Sequence, residues 1–219
     1  MSEPLVIDYY TDVLCVWAWI SQRRLKELRE QWGGAIRLQH HCVNVFGDTR
    51  TKIARQWSDR GGLEGFAAHV QEAAAGYENA ATHPDLWRRV CPSTSATAHA
   101  LLKAAGMIES VDAMTRLADA IRHAFFVEAL DIGQLDQLLP VAEAVGLSAD
   151  SLVASLRSGE AMAALLSDYT TAEQQGIKGS PSWVMNQGRQ ILYGNVGYRI
   201  LHANVEELLR HPEQEASWC

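Results

Sequence analysis

Strand signals are confined to the two ends of this chain, and the long stretch between them reads as helix. Leu5 to Tyr10 is a short apolar run rich in strand formers, closed by Thr11-Asp12. From Val16 to Trp32 apolar residues recur at helical spacing (Trp17, Ile20, Leu25, Leu28), and Gly33-Gly34 follows as a stop. Ile36 to Phe46 reads as a second strand with Ile36, Leu38, His40 and Cys42 on one face. A unit this compact implies two parallel strands joined by a right-handed crossover. At the far end, Pro181 to Met185 reads as a strand, Asn186-Gln187-Gly188 as a hairpin turn and Gln190 to Tyr193 as the partner strand. Gly194-Asn195-Val196-Gly197 then leads into an amphipathic helix with Ile200, Leu201, Val205, Leu208 and Leu209 on its apolar side.

Between these ends, Thr51 to Gln175 carries patterns for five or six helices. Ser148 is placed to cap one helix and Gly159 to end it; Ser95 or Ser93 is placed to cap another, and Asp131 a third. No Pro- or Ser-rich linker marks the edges of this region, so it reads as an insertion into one domain. The division is 1–50 with 176–219 for the α/β part and 51–175 for the helical insertion. The 219 residues are 47% hydrophobic and 21% charged, which fits a folded globular chain. The net charge of −7 argues against nucleic acid or an anionic membrane as partner, since both call for a basic surface. The first residues show no signal-peptide pattern, and no run of about 20 apolar residues occurs. Four scattered cysteines make neither a disulfide framework nor a zinc ribbon. The expectation is a cytoplasmic protein acting on a small-molecule thiol or disulfide or on a protein thiol, with no oligomeric state specified.

The order β-α-β, helices, β-β-α is similar to that of thioredoxin-like folds, here an α/β core with a large all-helical insertion. In such folds a reactive cysteine sits where the first strand feeds the first helix, and Cys15 falls at that junction. A thiolate there meets unpaired backbone N–H groups and the positive end of the helix dipole, which makes it a nucleophile. A buried structural cysteine is the competing reading. Gly179-Ser180-Pro181-Ser182 precedes the penultimate strand, where thioredoxin-like folds place a cis-proline facing that cysteine. A cis bond there turns the N–H and C=O of Ser180 outward to pair with a substrate backbone; a trans proline opening an edge strand is the alternative.

Asp12-Val13-Leu14-Cys15-Val16-Trp17-Ala18-Trp19 resembles the Asp-Val-x-Cys-Pro-Trp-Cys segment of the DsbA-like family. Within that family the sequence is most similar to FrnE-type proteins, kappa-class glutathione transferases and 2-hydroxychromene-2-carboxylate isomerases. The resemblance implies Cys15 as catalytic nucleophile, Ser180 and Pro181 as the substrate-pairing loop and Gly194 and Asn195 as glutathione-binding residues; Trp17, on the first turn beside the Cys15 sulfur, is placed to form an apolar wall for a substrate. It implies no metal and no tightly bound cofactor, with glutathione as a co-substrate. Two positions depart from the pattern. Ala18 replaces the second cysteine, so no internal Cys-x-x-Cys disulfide forms, and release of a mixed disulfide falls to glutathione, another thiol or a distant cysteine such as Cys219. Val196 stands where glutathione-using relatives carry an acid, and it cannot pair with a ligand amino group.

Three functions follow. The first is a monothiol thiol-disulfide oxidoreductase; the second is a glutathione-dependent transferase or isomerase, whose nucleophile position in relatives is serine. The third is a non-catalytic thioredoxin-like module that binds a partner through the Pro181 loop. Other signals read as structure. His40 and His41 point to opposite faces of a strand, His40 and Cys42 are too few for zinc, and Trp57, Trp87 and Trp183 suit packing. Arg60 to Gly65 lacks the Lys-Ser/Thr pair of a phosphate loop, and Cys91-Pro92 marks a connector.

Overall fold

A computed structural model describes residues 3–213. Strand β1 (Leu5–Thr11) runs into helix α1 (Val16–Trp32), which returns the chain to β2 (Ile36–Cys42). Seven helices follow among the described residues: α2 (Thr49–Trp57), α3 (Gly62–Ala75), α4 (Ala96–Ile108), α5 (Val111–Phe126), α6 (Leu135–Ala144), α7 (Ala149–Ser158) and α8 (Glu160–Gln174). Strands β3 (Ser182–Met185) and β4 (Gln190–Tyr193) and helix α9 (Tyr198–Arg210) complete the chain. The sheet order is β2-β1-β3-β4, with β1 parallel to β2 and antiparallel to β3, and β3 antiparallel to β4. This is a thioredoxin-like arrangement, and the helices between β2 and β3 stand outside its sheet.

Alternation along β1 sorts its side chains into two layers. Leu5, Ile7 and Tyr9 join Trp183, Met185, Leu25, Leu28, Leu201, Val205 and Leu208 in a core between the sheet, α1 and α9. Tyr10 packs on the opposite face with Val43, Ala172, Ile177 and Val184. Each large side chain so buried contributes roughly 1.5–3 kcal/mol relative to exposure. A third and larger core fills the helical region and reaches Val13, Leu14, Cys15 and Ala18 at the start of α1. The junction at Cys15 is thus clamped between the sheet and the insertion.

Several local expectations need correction. β2 ends at Cys42 instead of Phe46, because the N–H groups of Val45 and Phe46 turn to a buried carboxylate (Asp12). The insertion holds seven helices, as only the turn around Ser58–Arg60 separates α2 from α3 and only Gly159 separates α7 from α8. Ser95 occupies the N-cap of α4, yet its hydroxyl is drawn away from the helix to Asp12. Asp131 does not cap α6, which starts from Gln134; its carboxylate accepts the Gly133 N–H. Ile200 is 54% exposed, so the buried side of α9 is carried by Leu201, Val205 and Leu208. Ser148 caps α7 by accepting the Ser151 N–H, and Gly159 ends it at φ 83°. No helix among the described residues is long and apolar enough to cross a membrane.

Candidate functional site

Cys15 is the N-cap of α1, with extended backbone (φ −81°, ψ 118°). A turn closed by Cys15 N–H on the Asp12 carbonyl (3.1 Å) places its sulfur beside the backbone N–H groups of the helix start. Those of Ala18 and Trp17 face it. The thiol donates to the carbonyl of Ser180 at 3.0 Å, and Asp12 N–H donates to the Ser180 hydroxyl at 2.9 Å. Ser180 therefore joins the two ends of the chain. The Ser180–Pro181 peptide bond is cis, and the Pro181 carbonyl accepts the Gly194 N–H at 2.8 Å. Gly194 has φ +74°, a conformation that side chains disfavour, so glycine suits the turn that carries β4 past the proline loop.

Cys15 is 6% exposed, with a polar shell of one carbonyl and two N–H groups. Burial pushes its thiol up, the bond to Ser180 and the two N–H groups pull it down, and the Asp12 carboxylate pushes it up again. The balance lies above the ordinary thiol value, so the helix start does not by itself produce a thiolate in the substrate-free protein. Cys42 is buried on β2, and burial likewise pushes its thiol up. Cys91 is half-buried with its thiol raised by the same cause. Cys219 lies outside the described residues.

Asp12 organises the junction. Fully buried, its carboxylate accepts from Leu14 N–H (3.0 Å), Val45 N–H (3.1 Å), Phe46 N–H (2.8 Å) and the Ser95 hydroxyl (2.8 Å). One side chain thereby ties the strand–helix turn, the segment after β2 and the start of α4 together. Val13 N–H donates to His99 Nε2 at 3.2 Å, which assigns the ring proton to Nδ1, 2.8 Å from the Tyr169 hydroxyl. Burial lowers the pKa of His99, consistent with a neutral ring. Apart from the place of Asp12 in its motif, none of these partners carries a local sequence signal.

The other expected residues divide. Trp17 is half-buried near Cys15, its ring 6.3 Å from His69 of α3, while Trp19 turns inward and stacks on Phe126. Asn195 does not cap α9, whose N-cap is Gly197. Its amide instead donates to the Tyr77 hydroxyl (2.6 Å), and its carbonyl oxygen accepts from Arg24 (2.5 Å). The polar groups beside Gly194 are thus engaged within the protein. A groove of about 1020 Å³ runs along β2 and is lined by Arg29, Arg37, Lys103 and Met107; Cys15 and Ser180 are not among its lining residues.

With this geometry, a match to a protein-family model described as a DSBA-like thioredoxin domain spans residues 6–206. The ClpXP adapter protein SpxH of Shouchella clausii (strain KSM-K16) is 24% identical over 186 residues, 84% of this chain and 58% of that protein. The chain therefore spans less than two thirds of that relative's length. Among solved structures, the cytosolic disulfide reductase DsbM from Pseudomonas aeruginosa superposes with a TM-score of 0.68 at 21% identity, covering 94% of this chain and 99% of that one. A 2-hydroxychromene-2-carboxylate isomerase superposes with a TM-score of 0.65 at 15% identity, covering 97% of this chain and 100% of that one. At these identities the structural likenesses establish the fold.

Proposed function

The chain belongs to the DSBA-like thioredoxin domain family, and on that footing we propose that it is a monothiol thiol-disulfide exchange protein with Cys15 as its nucleophile. The observation that carries this reading is the contact of the Cys15 sulfur with the Ser180 carbonyl, at 3.0 Å, beside the N–H groups at the start of α1. In the resting protein the thiol holds its proton against Ser180. A substrate backbone that pairs with Ser180 displaces that bond, and the proton passes to solvent.

The thiolate then attacks one sulfur of a disulfide R–S–S–R′. A bond forms between Cys15 and R–S, the old S–S bond breaks, and R′–S⁻ leaves and takes a proton. With alanine at position 18, the mixed disulfide waits for an external thiolate R″–S⁻. That attack returns Cys15 as thiolate and releases R–S–S–R″, so one disulfide is consumed, one formed, and no net oxidant is required. Glutathione in a reducing cytoplasm would serve as R″–SH. Trp17 supplies an apolar wall, and Ser180, Pro181, Gly194 and Asn195 border the substrate.

The test is reduction of a small disulfide by excess glutathione, followed through the glutathione disulfide formed when a second glutathione attacks the released R–S–S–R″. Turnover should disappear in Cys15→Ser. Alanine at position 18 also favours a second reading, a glutathione-dependent transferase or isomerase; there Cys15→Ser would keep its activity on an electrophilic substrate, and that outcome would displace the exchange mechanism.

A further inference from the structure

Thiol exchange at Cys15 puts negative charge on a buried sulfur, and the fixed charge closest along the chain has the same sign. Asp12 is fully buried and repels a thiolate. His99 accepts the Val13 N–H and so carries no charge to offset it. Arg122 is buried as well, with its Nη2 on the Thr11 hydroxyl at 2.8 Å and its Nη1 3.8 Å from the Asp119 carboxylate. The groups around the sulfur are Asp12 at the end of β1, Tyr9 within β1, His69 of α3 behind Trp17, His99 of α4 and Lys52 of α2. The Ser180 loop adds Lys178, which is exposed two residues before Ser180.

Lys52 is half-buried and forms no ion pair among the described residues, whereas Lys26 and Lys103 both do. Its ammonium lies 5.1 Å from the centroid of the Phe46 ring. Phe46 N–H donates to the Asp12 carboxylate, so this ring fixes the cation at the border of the Cys15 junction. Burial lowers the pKa of Lys52, and the charges of Asp12 and Cys15 oppose that shift. A cation held out of bulk water without a carboxylate partner is costly to retain unless an anion forms beside it.

We propose that Lys52 is the positioning cation of this site, held over Phe46 to offset Asp12 and stabilise the Cys15 thiolate. The assignment rests on the exchange reading of Cys15 and adds what that reading lacks, a positive charge at the Phe46–Asp12 border of the junction.

The test is the pH dependence of iodoacetamide alkylation, read by mass spectrometry on the Cys15 peptide so that other cysteines do not contribute. Lys52→Met should move the profile to higher pH, slowing alkylation at neutral pH about threefold to tenfold while leaving the alkaline plateau unchanged. Lys52→Gln should match it, Lys52→Arg should restore the wild-type profile, and high salt should narrow the difference. Thermal melting of each variant separates loss of charge from loss of fold. If folded Lys52→Met and Lys52→Gln titrate like wild type, the assignment of Lys52 is wrong and the exchange reading stands. If wild-type Cys15 alkylates at no pH at which the protein is folded, both fall together.

Discussion

Asp12 shows how much a single carboxylate can hold. Its four donors come from three segments, and removing it leaves buried N–H groups without acceptors. Asp12→Ala should therefore lower stability by about 2–4 kcal/mol in a denaturant titration, well beyond the loss of one ordinary hydrogen bond. His41 gives a second expectation at this scale. Burial works against its charge, but hydrogen bonds to Asp168 and Asp8 outweigh it and raise its pKa to about 9. A histidine raised above its unfolded value of about 6.5 adds stability that is complete below that pH and disappears as pH rises through 9. The gap in melting temperature between wild type and His41→Asn should shrink from pH 6 to pH 9.5. Cys15, Ser180 and Pro181 were legible because each sits at a strand or helix boundary that local sequence reveals. Ser95, His99 and Lys52 were not, since they reach the site from 37 to 84 positions beyond Cys15, and no periodicity reports a contact across that distance.

Among the elements, boundaries set by backbone chemistry were easier to read than boundaries set by packing. The helix expected from about Val16 to Trp32 is α1, because apolar spacing and the Gly33-Gly34 stop agree. The end of β2 was misplaced because Val43, Val45 and Phe46 continue the strand pattern while Asp12 captures the backbone that would have paired. Ile200 fits the apolar stripe of α9 by spacing, yet it is 54% exposed. The α2–α3 elbow deserves its own test because it carries Lys52 and packs near Trp17. A Cβ at Gly65 would lie 1.7 Å from the Arg60 carbonyl oxygen, a backbone atom that cannot swing aside. Gly65→Ala should destabilise the protein by about 1–3 kcal/mol, whereas Gly76→Ala, which meets nothing within 4 Å, should lower thermal stability far less.

For the molecule as a whole, the fold brings residues 165 positions apart into one hydrogen bond, Cys15 to Ser180, and then leaves the sulfur without a second thiol at position 18. The β-α-β and β-β-α ends were visible in the chain because strand signals stop and restart so abruptly. How the insertion closes over Cys15 was not visible, because that depends on the tertiary contacts of Trp17, Phe46 and Phe66. Ala18→Cys should convert the protein to a dithiol type, clearing a mixed disulfide at Cys15 without added thiol. Since Ala18 is fully buried, the same substitution should lower thermal stability.

The central claim is a lone nucleophile resolved from outside, and intact-mass spectrometry after exposure to oxidised glutathione tests it most directly. The expected result is a single glutathione adduct, mapped to Cys15, that persists once excess reagent is removed and clears only on addition of a thiol. Absence of an adduct at Cys15, or an adduct that clears in wild type with no thiol added, would contradict the account.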